Sequence, residues 1–339
     1  MKTTTTRAPL DQLASIPQLR ALLAAGVLEA EESRRLERRV RQELPWARWL
    51  NHSLLALGIL LIMAGIGYFF AHNWTRISDD AKLGLAGGAV AATFAGAMRA
   101  GKESLTGKLL LLAASALVGV FLAVYGQVYQ TGAASYELVR AWALLILPWV
   151  LLGRFVPLWI FWLGLVNGLI VLWPDFGTDL FWMPGKTFQA EMVTLCAVNG
   201  AGLALREWAT RAKVLWLDSG WCREVLLTAT LLPMTMEASR ELFDGSYWTG
   251  PSLLVQGGYA ALAAGLAWYF YRQRSLPALA IVAVSACWVL TMLVISQIGR
   301  VAPGADNMLL MALIILGIFG GAGAMLRAAS RRFSQQNQN

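Results

Sequence analysis

"LLLLAASALVGVFLAVYGQV", Leu109 to Val128, decides the fold class. It holds no charged residue over a length that, as helix, spans the ~30 Å hydrocarbon core of a bilayer. Runs of this kind recur from Ser53 to Leu326. Alternating ten-residue segments of the barrel type do not occur, so helices must satisfy the backbone polar groups within the membrane. Composition agrees. Of 339 residues, 57% are hydrophobic and 14% charged, against about 25% charged in ordinary soluble domains. The sequence therefore specifies an all-α, polytopic helical membrane protein.

Ten spans are expected: Ser53–Ala71, Leu83–Met98, Leu109–Val128, Leu138–Gly153, Phe155–Trp173, Phe188–Arg206, Trp221–Ala238, Ser252–Tyr271, Leu276–Gln297 and Asn307–Leu326. The fourth and fifth follow each other across Gly153-Arg154, which leaves either a tight hairpin or one re-entrant unit. Five regions follow from these spans. Residues 1–52 are a cytoplasmic head, 53–153 a first membrane bundle, and 154–220 middle helices with their loops. Residues 221–326 form a second bundle and 327–339 a polar tail.

Charge sets the orientation. With the N-terminus inside, 22 of the 28 Lys and Arg fall on that side and 6 on the other. The positive-inside rule thus places both termini in the cytoplasm, as expected of a bacterial inner-membrane protein. The net charge of +8 is topological and no sign of nucleic-acid binding. Residues 1–52 are charged and lack an apolar h-region, so no cleavable signal is expected.

The head reads as two short soluble helices joined at Gly26, a residue suited to a helix C-terminus. Glu31–Arg35 and Glu37–Arg41 are i,i+4 pairs. Arg34, Arg35, Arg38, Arg39 and Arg41 precede the first span. They form a solvated face and topogenic charge, or attract anionic lipid headgroups at ~1 kcal/mol per basic residue.

At an offset of 170 residues, "KLGLAGGAVAA" (Lys82–Ala92) lies over "SLLVQGGYAAL" (Ser252–Leu262). The same offset sets Gln127 over Gln297. Matched spans are six apart, so the second bundle would be a weak parallel repeat of the first. Gly84/Gly88, Gly164/Gly168 and Gly317/Gly321 have the G-x-x-x-G spacing of close helix packing.

Polar residues inside a bilayer are costly and default to functional candidates. Followed along the spans, most gather toward the outer leaflet: His72, Asn73, Trp74, Gln127, Gln130, Glu137, Arg140, Glu191, Glu237 and Gln297. They would line an outward-facing vestibule, or are ordinary helix ends. In the loop after the third span, Gly132 can take the left-handed conformation and Ser135 can cap the next helix. Glu137 then falls in the first turn, with Arg140 in reach to pair with it. Asn167 and Asn199 lie deeper.

"YFFAHNW" (Tyr68–Trp74) with Lys82, and "GQVYQTG" (Gly126–Gly132) with "WALLILPW" (Trp142–Trp149), are similar to the most recognisable stretches of a bacterial family. This is the family of predicted membrane proteins known as domain-of-unknown-function family twenty-one fifty-seven. The resemblance covers about residues 10–150. It implies membrane class and topology, names no reaction, and adds weight to His72, Asn73, Trp74, Gln127 and Gln130.

Catalytic signatures are missing. The sequence has no G-x-S-x-G elbow, no complete phosphate loop around Gly185-Lys186-Thr187, and no H-E-x-x-H. His52 and His72 fall on opposite faces and cannot share a metal, and the three cysteines are unspaced. No catalytic residue, metal or cofactor is expected. The leading expectation is a transporter or binder of a small polar solute, embedded in the lipid bilayer. The alternatives are a membrane scaffold or envelope-stress accessory protein, and a membrane-embedded enzyme using Glu191 and Glu237 on a lipid or envelope precursor.

Overall fold

The computed structural model describes residues 74–101, 103–173, 187–243, 250–301 and 307–336. Before these it describes only positions 22, 25–28, 31, 32, 50, 54, 57, 58, 61, 65, 68 and 72. The chain divides into two compact units, Met1–Ser78 and Asp79–Asn339. In the first, Gly26 adopts φ +70°, and Val27 N donates to Leu22 O at 3.0 Å. That is the six-to-one bond of a Schellman motif, as the glycine suggested. The described positions from Leu54 to Tyr68 within the first expected span, with Leu50 before it and His72 after it, are helical. A 3-10 turn follows at Trp74–Arg76.

Among the described residues the regular structure of the second unit is helical. Its helices are α1 (Asp79–Ala100), α2 (Leu105–Val128), α3 (Ser135–Gly153), α4 (Val156–Leu172) and α5 (Thr187–Arg211). They continue with α6 (Gly220–Phe243), α7 (Gly250–Arg272), α8 (Leu276–Val301) and α9 (Met308–Gln336). Each corresponds to one expected span from the second to the tenth. All but α4 and α6 are long and apolar enough to cross a membrane. α4 has 17 residues, the lower limit for spanning, and α6 carries Arg223, Glu224, Glu237, Arg240 and Glu241. This is a polytopic helical membrane protein.

The connection between α3 and α4 resolves into a tight hairpin. Arg154 makes the turn at φ 41°, Phe155 caps α4, and Tyr136 at the start of α3 stacks on Trp173 just past the end of α4. Trp162 Nε1 donates to Ala143 O at 3.0 Å between them. The α2–α3 loop differs in detail from expectation. Gly132 is left-handed (φ 64°), but Ala134 is the N-cap of α3 and Ser135 its first residue.

α1 to α4 pack in sequence around Val118, Ile146, Val150 and Leu158. In α5 to α9, α6 is central, touching α5, α7 and α8. Its Leu227 and Leu231 meet Phe270 of α7 and Val282 of α8 in the larger core. α9 lies at the edge, with Phe333 and Ala329 packed inward.

Among the described residues the G-x-x-x-G pairs do not mark close helix packing. Added β-carbons at Gly84, Gly88, Gly164, Gly168, Gly317 and Gly321 would meet nothing within 4 Å. The close approaches occur elsewhere. Gly107 lies against Gly101 O and Ala97 O where α1 and α2 converge, and Gly119 lies under the Trp142 indole. Trp142 is also keyed to α2, donating from Nε1 to Ser115 O at 2.7 Å.

Candidate functional site

Three helix ends meet where α5 begins, α6 finishes and α7 begins. Glu237, in the penultimate turn of α6, has no exposed side-chain surface. Spacing i,i+3 places Arg240 over it. Arg240 Nε donates to Glu237 Oε2 at 3.0 Å and Nη2 to Oε1 at 2.8 Å. The same Nη2 reaches Glu241 Oε1 at 3.1 Å. A buried carboxylate persists only when paired this fully. The arginine is not buried: 40% of its side chain is exposed. Its guanidinium covers the Phe188 ring of α5 at 5.4 Å. Gln256 of α7 donates to Ala238 O at 2.8 Å and ties the third helix in.

About a turn deeper, Ser285 of α8 joins Thr235 of α6 at 2.7 Å and Tyr259 of α7 at 2.8 Å. Thr235 Oγ1 also donates to Leu231 O, and Pro233 lies within the same stretch of α6. Both features remove or weaken regular helix hydrogen bonding and favour a bend. The hydroxyl trio thus continues the polar column from Glu237 toward the middle of the bundle.

A second ionic cluster stands at the opposite ends of these helices, and the sequence reading missed it. Arg206 and Glu207 in α5 are both buried and form an ion pair. Tyr269 OH and Gln273 Nε2 of the α7 end each donate to Glu207 Oε2 at 3.0 Å. Arg211 donates to the Tyr269 hydroxyl at 2.8 Å. Arg206 Nη2 reaches Ser219 O at 3.2 Å and Asp218 at 3.6 Å. The available signal was Tyr269 and Gln273 at i,i+4 facing an adjacent charge pair.

The residues expected at the vestibule are distributed as follows. His72 is exposed and stacks on Tyr68 at 6.0 Å, within the unit that ends at Ser78. Trp74 starts the 3-10 turn of that unit, and Asn73 lies outside the described residues. Gln127 is exposed in the last turn of α2, and Gln130 is exposed in the following loop with φ 45°. Glu137 Oε2 accepts from Ala134 N at 3.2 Å. Its carboxylate therefore turns back onto the helix start rather than forward to Arg140, which is exposed. Glu191 is partly buried one turn after Phe188, and Gln297 is exposed near the end of α8. Of the expected set, Glu237 is the residue held in a charged cluster, with Glu191 on the neighbouring helix end. Arg34, Arg35, Arg38, Arg39 and Arg41 lie outside the described residues. Among the described residues no group of three His, Cys, Asp or Glu is arranged to hold a metal ion.

Residues 20–159 match the family model described as predicted membrane protein (DUF2157). No curated protein and no solved structure matches the chain. The matched segment runs from the head into the start of α4, so both charged clusters of α5 to α7 lie beyond it.

Proposed function

We propose that the protein binds, and carries across the membrane, a small zwitterionic solute at the Glu237–Arg240–Glu241 cluster. One observation supports this above the rest: a fully buried carboxylate whose partner guanidinium is 40% exposed. A solute bearing an ammonium and a carboxylate can exchange for both halves of that pair, its cation taking Glu237 and its anion Arg240. Two carboxylates around one guanidinium leave room for the added positive group. The Phe188 ring and the Gln256 amide supply an apolar wall and a polar one, the mixture that small-molecule sites use. The hydroxyls of Thr235, Ser285 and Tyr259 offer the next hydrogen bonds along the bundle.

In the orientation expected from charge, this cluster opens on the outer side of an inner membrane. Gln127, Gln130, Glu137, Arg140, Glu191 and Gln297 are proposed as the rim on the same side.

The test is uptake into proteoliposomes, paired with thermal shift of the purified chain against a panel of amino acids and betaines. A ligand at ~100 times its dissociation constant stabilises by about 2.7 kcal/mol, which is readily seen. Glu237→Gln and Arg240→Gln should abolish both the shift and the flux, while deletion of residues 1–44 leaves them intact. A shift that survives both substitutions would remove the cluster from the account. Turnover of a solute without flux would favour an enzyme.

A further inference from the structure

α9 leaves an open groove where it crosses α7 and α8. The cavity measures ≈ 820 Å³ and is floored by small residues: Ala264 and Ala267 of α7, Ala283 and Ala286 of α8, Gly317 and Gly321 of α9. At one end stand Tyr271 and Arg332, with Arg332 Nη1 donating to the Tyr271 hydroxyl at 3.5 Å. A second cavity of ≈ 680 Å³ runs along the other flank of α9, past Arg327 and Arg331, and shares Arg332 with the first. α9 contains no acidic residue. Arg332 therefore stands at the mouth, and Arg327 and Arg331 line the neighbouring cavity that meets it there, with no carboxylate on their own helix.

We propose that this groove holds an acyl chain of an anionic phospholipid, with the phosphate at Arg332 and the adjoining Arg327 and Arg331. The dimensions suit it. From Gly317 to Arg332 the helix rises about 22 Å, which exceeds the ~15 Å of one leaflet's hydrocarbon by roughly the depth of a headgroup. The lining is apolar along the groove and cationic only at its end, the polarity of an amphiphile with one negative head. Small side chains leave a floor that no side chain of the described residues fills, and the added β-carbon at Gly317 or Gly321 finds open space. A second copy of the protein fits the charge less well. Two copies inserted in the same direction would bring six arginines to one depth, where like charges repel. Guanidinium groups suit a phosphate instead, which accepts their forked donors.

The proposal separates the head from the chain by experiment. Purified full-length protein in detergent is titrated with phosphatidylglycerol and with phosphatidylcholine of identical acyl chains. Binding is read by thermal shift and by native mass spectrometry. The wild type should prefer phosphatidylglycerol. Arg332→Gln should reduce that preference about fivefold, and adding Arg327→Gln and Arg331→Gln should abolish it, at ~1 kcal/mol per basic residue. Gly321→Leu fills the groove and should eliminate binding of both lipids. Because that position is open and leucine is the better helix former, the variant should fold with an undiminished melting temperature in detergent alone. Ala283→Leu provides a second filler from α8. Unchanged phosphatidylglycerol binding in both fillers would overturn the proposal. So would a dimer that dissociates in Gly321→Leu, because a protein surface would then occupy the groove.

Discussion

Asn167 of α4 and Asn199 of α5 exchange two amide hydrogen bonds, at 3.0 Å and 2.8 Å. The second Nδ2 hydrogen of Asn199 goes to Leu195 O at 2.7 Å. Each amide is thus the other's main partner, and Asn199 places both of its Nδ2 hydrogens within the protein. It stands at the junction between the first four helices and the α5–α9 bundle, where apolar packing is represented by Ile170, Met192 and Leu195.

A reciprocal pair has a distinctive mutational signature. Asn199→Leu strands the Asn167 amide and should cost about 1–2 kcal/mol, whereas the double change to leucine removes both polar groups and should recover most of it. Thermal unfolding of the purified variants measures both. A double variant as unstable as the single would mean that the amides serve something other than each other.

Gly119 makes the opposite kind of contact, one of shape alone. Its missing side chain admits the Trp142 ring, and an added methyl group would collide with it. Gly119→Ala should destabilise by about 1–3 kcal/mol through overpacking. Gly164→Ala, at a position open on all sides, should be neutral or stabilise by up to ~1 kcal/mol. Equal effects at the two sites, again by thermal unfolding, would contradict the placement of Trp142 against α2.

The contrast between these glycines shows where the sequence is informative. Span positions were legible because a ~30 Å apolar slab demands long uncharged helices, whereas the join of α3 to α4 stayed open between a hairpin and a re-entrant unit. Helix faces were not legible. In lipid, both the packed and the exposed face are apolar, so no amphipathic stripe marks the partner side. Gly317-x-x-x-Gly321 and Gly119 look alike in sequence, yet one lines an open groove and the other a tight contact. Ionic partners were hidden for a related reason. Glu237 was singled out as an intramembrane carboxylate, but nothing in the sequence distinguished its partner Arg240 from the other charges near helix ends.

Arg206 and Glu207 allow a stability test of that missed cluster. Glu207→Gln removes the closest counter-charge of a guanidinium whose side chain is 5% exposed. Breaking one partner of a buried pair costs about 3–5 kcal/mol, and Asp218 at 3.6 Å should hold the loss near the lower figure. Tyr269→Phe removes one neutral donor and should cost about 1–2 kcal/mol. If the two variants melt alike, the carboxylate is compensated by groups other than Arg206, Tyr269 and Gln273.

Orientation decides which compartment the Glu237–Arg240 cluster faces, and the loops at the two ends of α2 offer a direct readout. Glu103 and Thr131 are both exposed and lie just outside opposite ends of that helix. The charge bias predicts a cytoplasmic Glu103 loop, with Arg99 and Lys108 beside it. Native thiols add little background, since Cys222 and Cys287 are buried and Cys196 is partly so. In intact cells a membrane-impermeant maleimide should label Thr131→Cys, and should label Glu103→Cys only after the membrane is opened. α2 and α6 rise in the same direction in an alternating succession of helices, so Glu237 shares the side of Thr131. The reverse labelling pattern would turn the cluster toward the cytoplasm, and the solute it meets would be one the cell already contains.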